Sequence, residues 1–166
     1  MPFALSPMQL TSPAFASGGN IPRKHTGEGE DVSPALAWSQ VPDGTRSFAL
    51  VCHDPDAPLV ASGEYGFTHW LAYNIPAWVP GVPESIPPSE HVYQPVEMMQ
   101  GKNSSLKVGY AGCAPPKGDS EHHYHFQLFA LDRVLDLEAG AGRSALVRAM
   151  SDHVIGKGDL VGTYKR

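Results

Sequence analysis

The chain has 166 residues, a mass of 17.8 kDa and a formal net charge of −5. This length predicts a single domain over residues 1–166, with a core large enough to fold without disulfides or metals. Its 17 Gly and 16 Pro break helices and set turns, which excludes a helical bundle or a long alternation of strands and helices. The acidic balance, with only 12 Lys and Arg, disfavours nucleic acid as a partner, because nucleic acid binds to basic surfaces.

The sequence also indicates the compartment in which the protein works. Its two cysteines, Cys52 and Cys113, are too few for a disulfide framework. No run approaches the 18 apolar residues of a membrane span, and the first ten residues lack the charged and apolar regions of a secretory signal. We therefore expect a reduced, cytoplasmic protein without a membrane span.

Three apolar runs predict β-strands, over residues 47–53, 67–75 and 122–131. Each run has apolar side chains on both faces, which is typical of central strands between packed layers. Alternation predicts three sets of residues that share a strand face: Phe48, Leu50 and Cys52; Phe67, His69, Leu71 and Tyr73; His122, Tyr124, Phe126 and Leu128. The Pro-rich stretches 79–83 and 86–88 predict loops between such strands.

One segment predicts a helix. Apolar residues at positions 146, 147, 150 and 154 recur at helical spacing over residues 144–154, and Gly156 can end the helix. Short strands, structured loops and one late helix together predict an all-β sandwich.

Two carboxylates follow the first predicted strand, in the run Asp54-Pro-Asp-Ala-Pro58. Pro55 fixes its own φ and favours an extended Asp54, so both carboxylates project from a strand end that cannot continue pairing. The carboxylates either cap nearby amides in an Asx-type turn or belong to a functional site.

Histidines and a tyrosine lie near the other strand ends. His69 is within an apolar run, where a histidine is either a satisfied core residue or a functional group, and His122 and Tyr124 follow the rigid loop 112–118. Sandwich proteins place their sites at such loops. If these groups converge, the carboxylates raise the pKa of the histidines, and imidazolium, hydroxyl and loop amides offer donors to a phosphate or another oxyanion.

Six motifs occur in order over nearly the whole chain, from about Phe3 to Tyr164: Ser33-Pro-Ala-Leu-Ala-Trp38, Asp54-Pro-Asp-Ala-Pro58, Thr68-His-Trp-Leu71, Gly112-Cys-Ala-Pro-Pro-Lys-Gly118, His122-His-Tyr-His-Phe126 and Gly158-Asp-Leu-Val-Gly-Thr-Tyr164. Together they resemble the phosphatidylethanolamine-binding protein family, also called Raf-kinase-inhibitor-like proteins, and its bacterial branch most. The resemblance implies a phosphatidylethanolamine-binding-protein-like sandwich of antiparallel sheets with a small anion pocket. The residues that match the family's pocket are Asp54, Asp56, His69, Ala114, Pro116, His122 and Tyr124. Two aromatic residues match positions that line or flank the pocket mouth, Trp70 and Tyr65.

The resemblance implies non-enzymatic binding of phosphate-bearing ligands, such as a phosphorylethanolamine head group of a phospholipid or a phosphorylated side chain. We expect no cofactor. Eukaryotic members are known as lipid-head-group binders and kinase regulators, so a regulatory role resembling that of a kinase or protease inhibitor is a further expectation. Resemblance to bacterial relatives implies a homodimer. The acidic pair favours an ammonium-bearing ligand, because Asp54 or Asp56 can accept a hydrogen bond from an amine.

A hydrolase is one alternative to pure binding. Cys113 lies in the loop before His122 and could form a Cys–His pair with it. Such a cysteine is more often a small buried apolar residue, and the sequence has no Gly-x-Ser-x-Gly elbow.

A metal site is the other alternative. Two histidines at i and i+2 share a strand face, a spacing at which sheets chelate transition metals. The two candidate ligand sets are His123 with His125, and Asp54 and Asp56 with His69.

Overall fold

The structure, a computed structural model, describes residues 5–57 and 66–166. Its elements in chain order are β1 (Ser6–Pro7), β2 (Gln9–Thr11), a short 3-10 helix (Arg23–His25), β3 (Leu36–Ser39), β4 (Ser47–Asp54), β5 (Phe67–Pro76), β6 (Gly81–Val82), β7 (His91–Val92), β8 (Met98–Gln100), β9 (His122–Leu131), α1 (Arg143–Met150) and β10 (Val154–Tyr164).

The strands form two sheets. Seven strands make the larger sheet, in the order β1-β10-β9-β4-β5-β8-β7, and β2-β3-β6 make the smaller one. All neighbours are antiparallel except β1 and β10. The three strands predicted from apolar runs, β4, β5 and β9, are adjacent at the centre of the larger sheet, which confirms them as central strands of an all-β sandwich.

Both faces of the larger sheet are covered. Between the two sheets lies a first core, which includes Phe48, Leu50, Cys52, Tyr124, Phe126, Leu128, Leu10 and Trp38. On the other face lies a second core beneath α1, which includes Ala49, Val51, Leu71, Leu146 and Met150. The predicted faces of β4 and β9 are therefore correct. Burial on both sides explains why β4 is almost wholly apolar, whereas β9 alternates buried residues with exposed or half-buried ones such as His123.

Helix α1 is shorter than the predicted segment 144–154. The chain leaves the helix at Ser151, which has an extended ψ of 132°. Val154 begins β10 instead of continuing the helix, and Gly156 lies within that strand. The side chain of Val147 is half exposed, although it was predicted to be apolar helix face. Within the described ranges, no helix is long and apolar enough to cross a membrane.

The longest strand, β10, lacks the continuous apolar run that identified the other long strands. Glycines interrupt it at three positions, and at Gly162 the reason is close packing. A Cβ there would lie 2.5 Å from Cγ1 of Ile21 and 2.8 Å from Cε2 of Phe15. Gly162 makes the strand hard to recognise in the sequence, and close contact with Ile21 and Phe15 leaves no room for a side chain there.

The Pro-rich stretch 79–83 was predicted to be a loop but contains β6. This two-residue strand pairs with Leu36 and Ala37 at the edge of the smaller sheet, where prolines are tolerated because one side of the strand makes no ladder. Residues 86–88 form a loop, as predicted.

Candidate functional site

A cavity of about 520 Å³ lies at one end of β4, β5 and β9. Antiparallel pairing brings the last residues of β4 against the first residues of β5 and β9, since Asp54 pairs with Phe67 and His53 pairs with His125. Loops contribute the rest of the wall. The predicted site residues that line this cavity are Asp54, His69, Ala114, Pro116, His122 and Tyr124.

Asp54 and His122 form a buried pair in this cavity. Oδ2 of Asp54 accepts a hydrogen bond from Nδ1 of His122 at 2.7 Å, and Oδ1 accepts one from the amide of Asp56 at 2.8 Å. The second bond is the predicted Asx-type turn. Burial lowers the pKa of His122, but the hydrogen bond and the charge of Asp54 outweigh burial and raise that pKa above its ordinary value. The predicted rise is therefore correct for this histidine.

The other ring nitrogen of His122 is directed at a weaker partner. Nε2 lies 3.3 Å from Oδ2 of Asp119, whose side chain is 47% exposed. Because Nδ1 is held by Asp54, the protonated ring has one N–H left to donate. Among the described residues, its hydrogen-bond partner is the solvated carboxylate of Asp119.

His69 is the extra residue of a β-bulge. Strand β4 pairs with Thr68 and Trp70 but leaves His69 without a partner in the ladder. The bulge separates His69 from Leu71, which packs in the second core, and places its ring 5.2 Å from the ring of Tyr124. The predicted shared face of His69 and Leu71 is therefore wrong, because alternation fails at a bulge.

His69 carries a neutral ring. Nδ1 of His69 donates to the carbonyl oxygen of Ala111 at 2.6 Å, and the amide of Ala111 donates to the carbonyl of His69 at 2.8 Å. Burial lowers the pKa of His69 to about 4, despite these contacts and the charge of Asp54. The predicted rise in pKa is wrong here, because the direct partner of this ring is a neutral carbonyl.

Tyr124 lies between the two histidines, with its ring centroid 5.2 Å from that of His69 and 6.5 Å from that of His122. Burial raises the pKa of Tyr124 and of Cys113 well above their ordinary values. A buried, protonated thiol is a poor nucleophile. The geometry therefore offers no support to the Cys–His hydrolase.

Two contacts fix the loop 112–118 against the rest of the chain. Gly112 donates its amide to Oδ1 of Asp31 at 2.6 Å, and a Cβ at this position would collide with that carboxylate. Gly27 donates its amide to the carbonyl of Cys113 at 2.9 Å. These contacts hold the cavity-lining residues of the loop in place, among them Ala114 and Pro116.

Two predicted site residues lie elsewhere, and a third is not described. Asp56 is outside the cavity wall, and its carboxylate accepts hydrogen bonds from the amide and Nδ1 of His123, both at 2.8 Å. Trp70 is wholly buried in the first core and donates to Oε1 of Gln100 at 2.7 Å. It cannot flank the cavity mouth, because it points into the layer between the sheets. Tyr65 lies outside the described residues.

Sequence reasoning missed part of the cavity wall. The missed residues are Phe67, which alternation placed on the face of His69 without a site role, and a set from loops that no motif or periodicity connects: Asp31, Asn103, Ser105, Lys107 and Tyr110. The feature of the sequence that could have indicated these residues is the presence of charged side chains in Gly-rich and Ser-rich loops. Lys107 brings an exposed cation to the rim of the cavity, and Asp31 brings a carboxylate.

Neither proposed metal site is assembled in the part of the chain that the structure describes. No group of three or more His, Cys, Asp or Glu side chains there is placed to hold an ion. Asp54 binds His122, whereas Asp56 binds His123. The two carboxylates that were predicted to share an ion with His69 therefore have separate partners.

Comparison with known proteins agrees with this architecture. The family model described as phosphatidylethanolamine-binding protein matches residues 11–165. A UPF0098 protein of Methanothermobacter thermautotrophicus is 43% identical over 159 residues, covering 96% of this chain and 99% of its own. The structure of CT736 from Chlamydia trachomatis has a TM-score of 0.85 and 35% identity, covering 97% of this chain and 99% of its own. The structure of YbcL from E. coli, described as a member of the mammalian PEBP family, has a TM-score of 0.84 and 32% identity, covering 96% of this chain and 98% of its own. The family-model match over residues 11–165 and these relatives over nearly the full length show that the chain belongs to the phosphatidylethanolamine-binding protein family.

Proposed function

We propose that the protein binds phosphate-bearing organic ligands in the cavity at the end of β4, β5 and β9, without transforming them. The observation that carries this proposal is the buried hydrogen bond between Asp54 and His122, which raises the pKa of His122 and so favours the protonated ring, whose second N–H can donate to a ligand. Charge-assisted hydrogen bonds of this kind are among the strongest that a protein offers to an anion.

The size and lining of the cavity favour an organic phosphate over the bare ion. A volume of about 520 Å³ lies within the range of small-molecule sites, which is about 300–1,000 Å³. Much of the wall is apolar, including Phe67, Pro88, Val108 and Pro116. We therefore assign the charged end of the ligand to His122 and its organic body to this apolar wall, which suits a phosphate monoester such as a phospholipid head group or a phosphorylated side chain.

An incoming anion takes the place of Asp119 at His122. The contact between Oδ2 of Asp119 and Nε2 of His122 is 3.3 Å long, and the side chain of Asp119 is half exposed. An exposed ion pair contributes little to stability. The anion therefore displaces a weak partner, and the Asp119 carboxylate returns to water.

The assignment of a ligand amine to Asp54 or Asp56 requires correction. Asp54 is engaged by His122 and by the amide of Asp56, and Asp56 itself accepts two hydrogen bonds from His123. The acceptors that face the cavity are instead the carboxylate of Asp31 and the neutral ring of His69. A ligand with a donor group near its phosphate is accommodated by these two residues.

Calorimetric titration of phosphorylethanolamine and phenyl phosphate tests the proposal. We expect saturable binding of at least one of them to the wild type, and His122→Gln to weaken it about 10- to 100-fold, since it removes one charged hydrogen bond. The matched control is His153→Gln, because His153 pairs with Asp132 outside the cavity. Binding of neither ligand to folded wild-type protein would refute the proposal.

Absence of turnover is part of the same proposal. We expect no phenol to be released when phenyl phosphate is incubated with the protein for hours. Release of phenol that is lost in Cys113→Ser would instead favour the hydrolase.

A cytoplasmic location, a homodimer and a regulatory role stay predictions. Both cysteines are free and buried, which suits a reducing compartment. Cell fractionation tests the location, and light scattering coupled to size exclusion tests the dimer. Inhibition assays against kinases and proteases of the host cell test regulation.

A further inference from the structure

His69 presents a lone pair, and not an N–H group, to the cavity. Its Nδ1 donates to the carbonyl oxygen of Ala111, so Nε2 of the neutral ring is an acceptor. Nε2 has no hydrogen-bond partner among the described residues. Every buried side-chain nitrogen or oxygen atom of those residues does have a partner, so Nε2 is not a buried atom. Nε2 is therefore open to the cavity that His69 lines.

The surroundings keep this ring neutral. His69 packs between the rings of Phe67, at 4.6 Å, and Tyr124, at 5.2 Å, and burial lowers its pKa to about 4. The titratable groups that face it come from β4, β9 and the loops: Asp54, His53, Tyr124, Asp31, His122 and Lys107. The carboxylate of Asp54 accepts a hydrogen bond from His122, and the carboxylate of Asp31 accepts one from the amide of Gly112.

The lone pair of His69 and the N–H of His122 belong to one cavity, on either side of Tyr124, and together they can discriminate between anions that differ by one proton. Near pH 5.5 a phosphate monoester is mostly a monoanion that retains one P–OH group, because its second pKa is about 6. Such a ligand can accept from His122 through a charged oxygen and donate its P–OH proton to Nε2 of His69. A sulfate monoester has the same charge and tetrahedral shape but no proton, so one of its oxygens would face the lone pair.

We propose that His69 makes this cavity select protonated, monoanionic phosphate monoesters over sulfate monoesters of the same shape and charge. The inference rests on the proposed function, since it requires that the anion bind beside His122. It adds a specificity-determining residue and names the protonation state of the ligand.

Calorimetry with phenyl phosphate and phenyl sulfate at pH 5.5 tests the inference in the wild type. The two ligands then have nearly equal charge and the same aromatic body, and both can accept a hydrogen bond from His122. We expect phenyl phosphate to bind about 10- to 100-fold more tightly, which corresponds to leaving one buried polar group unpaired in the sulfate complex.

Two variants separate the roles of the histidines. His69→Gln places a terminal amide near the position of Nε2, and an amide can turn to donate or to accept. We therefore expect the ratio of the two affinities to fall to about one. His122→Gln should weaken the binding of both ligands and leave the ratio of their affinities unchanged, because it removes a donor that both ligands use.

Comparable binding of both ligands to the wild type at pH 5.5, or tighter binding of phenyl sulfate, overturns this inference and leaves the proposed function standing. Binding of neither ligand overturns both. If His69→Gln fails to fold, as checked by circular dichroism, the comparison of ligands on the wild type still decides the matter.

Discussion

The pKa values of the two cavity histidines are shifted in opposite directions because their Nδ1 atoms have different partners. His122 donates to the carboxylate of Asp54, whose negative charge outweighs the effect of burial on its pKa. His69 donates to a backbone carbonyl, which brings no charge to offset burial. One residue type in one cavity therefore supplies a ring that favours protonation and a ring that stays neutral.

Replacement of Asp54 by Asn is expected to lower the pKa of His122. The variant removes the charge that raises this pKa and leaves the burial that lowers it. The ring protons of His122, followed by NMR during a pH titration, should show a lower midpoint than in the wild type. Asp132→Asn, beside the distant His153, is the control and should leave the midpoint of His122 in place. An unchanged midpoint in Asp54→Asn would contradict the assigned cause.

His69 is expected to make the fold sensitive to acid. Its folded pKa of about 4 lies below the value of about 6.5 for an exposed histidine, so protons bind more readily to the unfolded chain. The free energy of unfolding should therefore fall as the pH drops from 6.5 to 4, with a contribution from His69 of about 3 kcal/mol.

Urea unfolding of the wild type and His69→Gln between pH 7 and pH 4 measures this contribution. The variant lacks the titrating ring, so its unfolding free energy should change less over this interval. Equal pH dependence in the two proteins would show that folding leaves the pKa of His69 unchanged.

At the scale of elements, the cavity depends on where strands end and loops cross. The last residue of β4 pairs with the first residue of β5, and the bulge at His69 directs that side chain toward β9. The loop 112–118 is held by hydrogen bonds to the segment 27–31. Rigid loops on a buried sheet allow the polar groups to keep their geometry without a ligand.

Helix α1 is expected to stabilise the fold through Leu146. This side chain is wholly buried in the second core, whereas its neighbour Val147 is 51% exposed. Leu146→Ala should reduce the free energy of unfolding by about 2–5 kcal/mol, and the matched control Val147→Ala should change it by less than about 1 kcal/mol. Denaturant midpoints measure both, and similar losses in the two variants would contradict this packing.

At the scale of the whole molecule, one sheet with both faces buried carries the cavity at one end. The first core joins the two sheets, and the second core joins the larger sheet to α1. The strands of the cavity therefore belong to the most buried part of the structure. Ligand binding there is linked directly to global unfolding, because the site cannot form without the central strands.

Phenyl phosphate is therefore expected to raise the melting temperature. At a concentration 100 times its Kd, the gain is about 2.7 kcal/mol, or roughly 5–10 °C for a chain of this size. Thermal unfolding followed by circular dichroism measures the shift. His122→Gln at the same ligand concentration should show a smaller shift, and an equal shift would place the ligand elsewhere.

The sequence by itself determined the central strands β4, β5 and β9, because long apolar runs bounded by Pro and Gly leave few other structures. Its motifs also identified six residues of the cavity wall, since each motif lies at a strand end or in a rigid loop. Their role in binding stays a prediction.

The tertiary structure decided the rest. Strand β10 forms by pairing with β9 and β1, and it carries Gly162 because a Cβ there would collide with Ile21 and Phe15, which are far away in the sequence. The charge of His69 depends on its burial and on the carbonyl of Ala111. Desolvation and long-range partners are properties of the folded chain, so no local pattern could predict them.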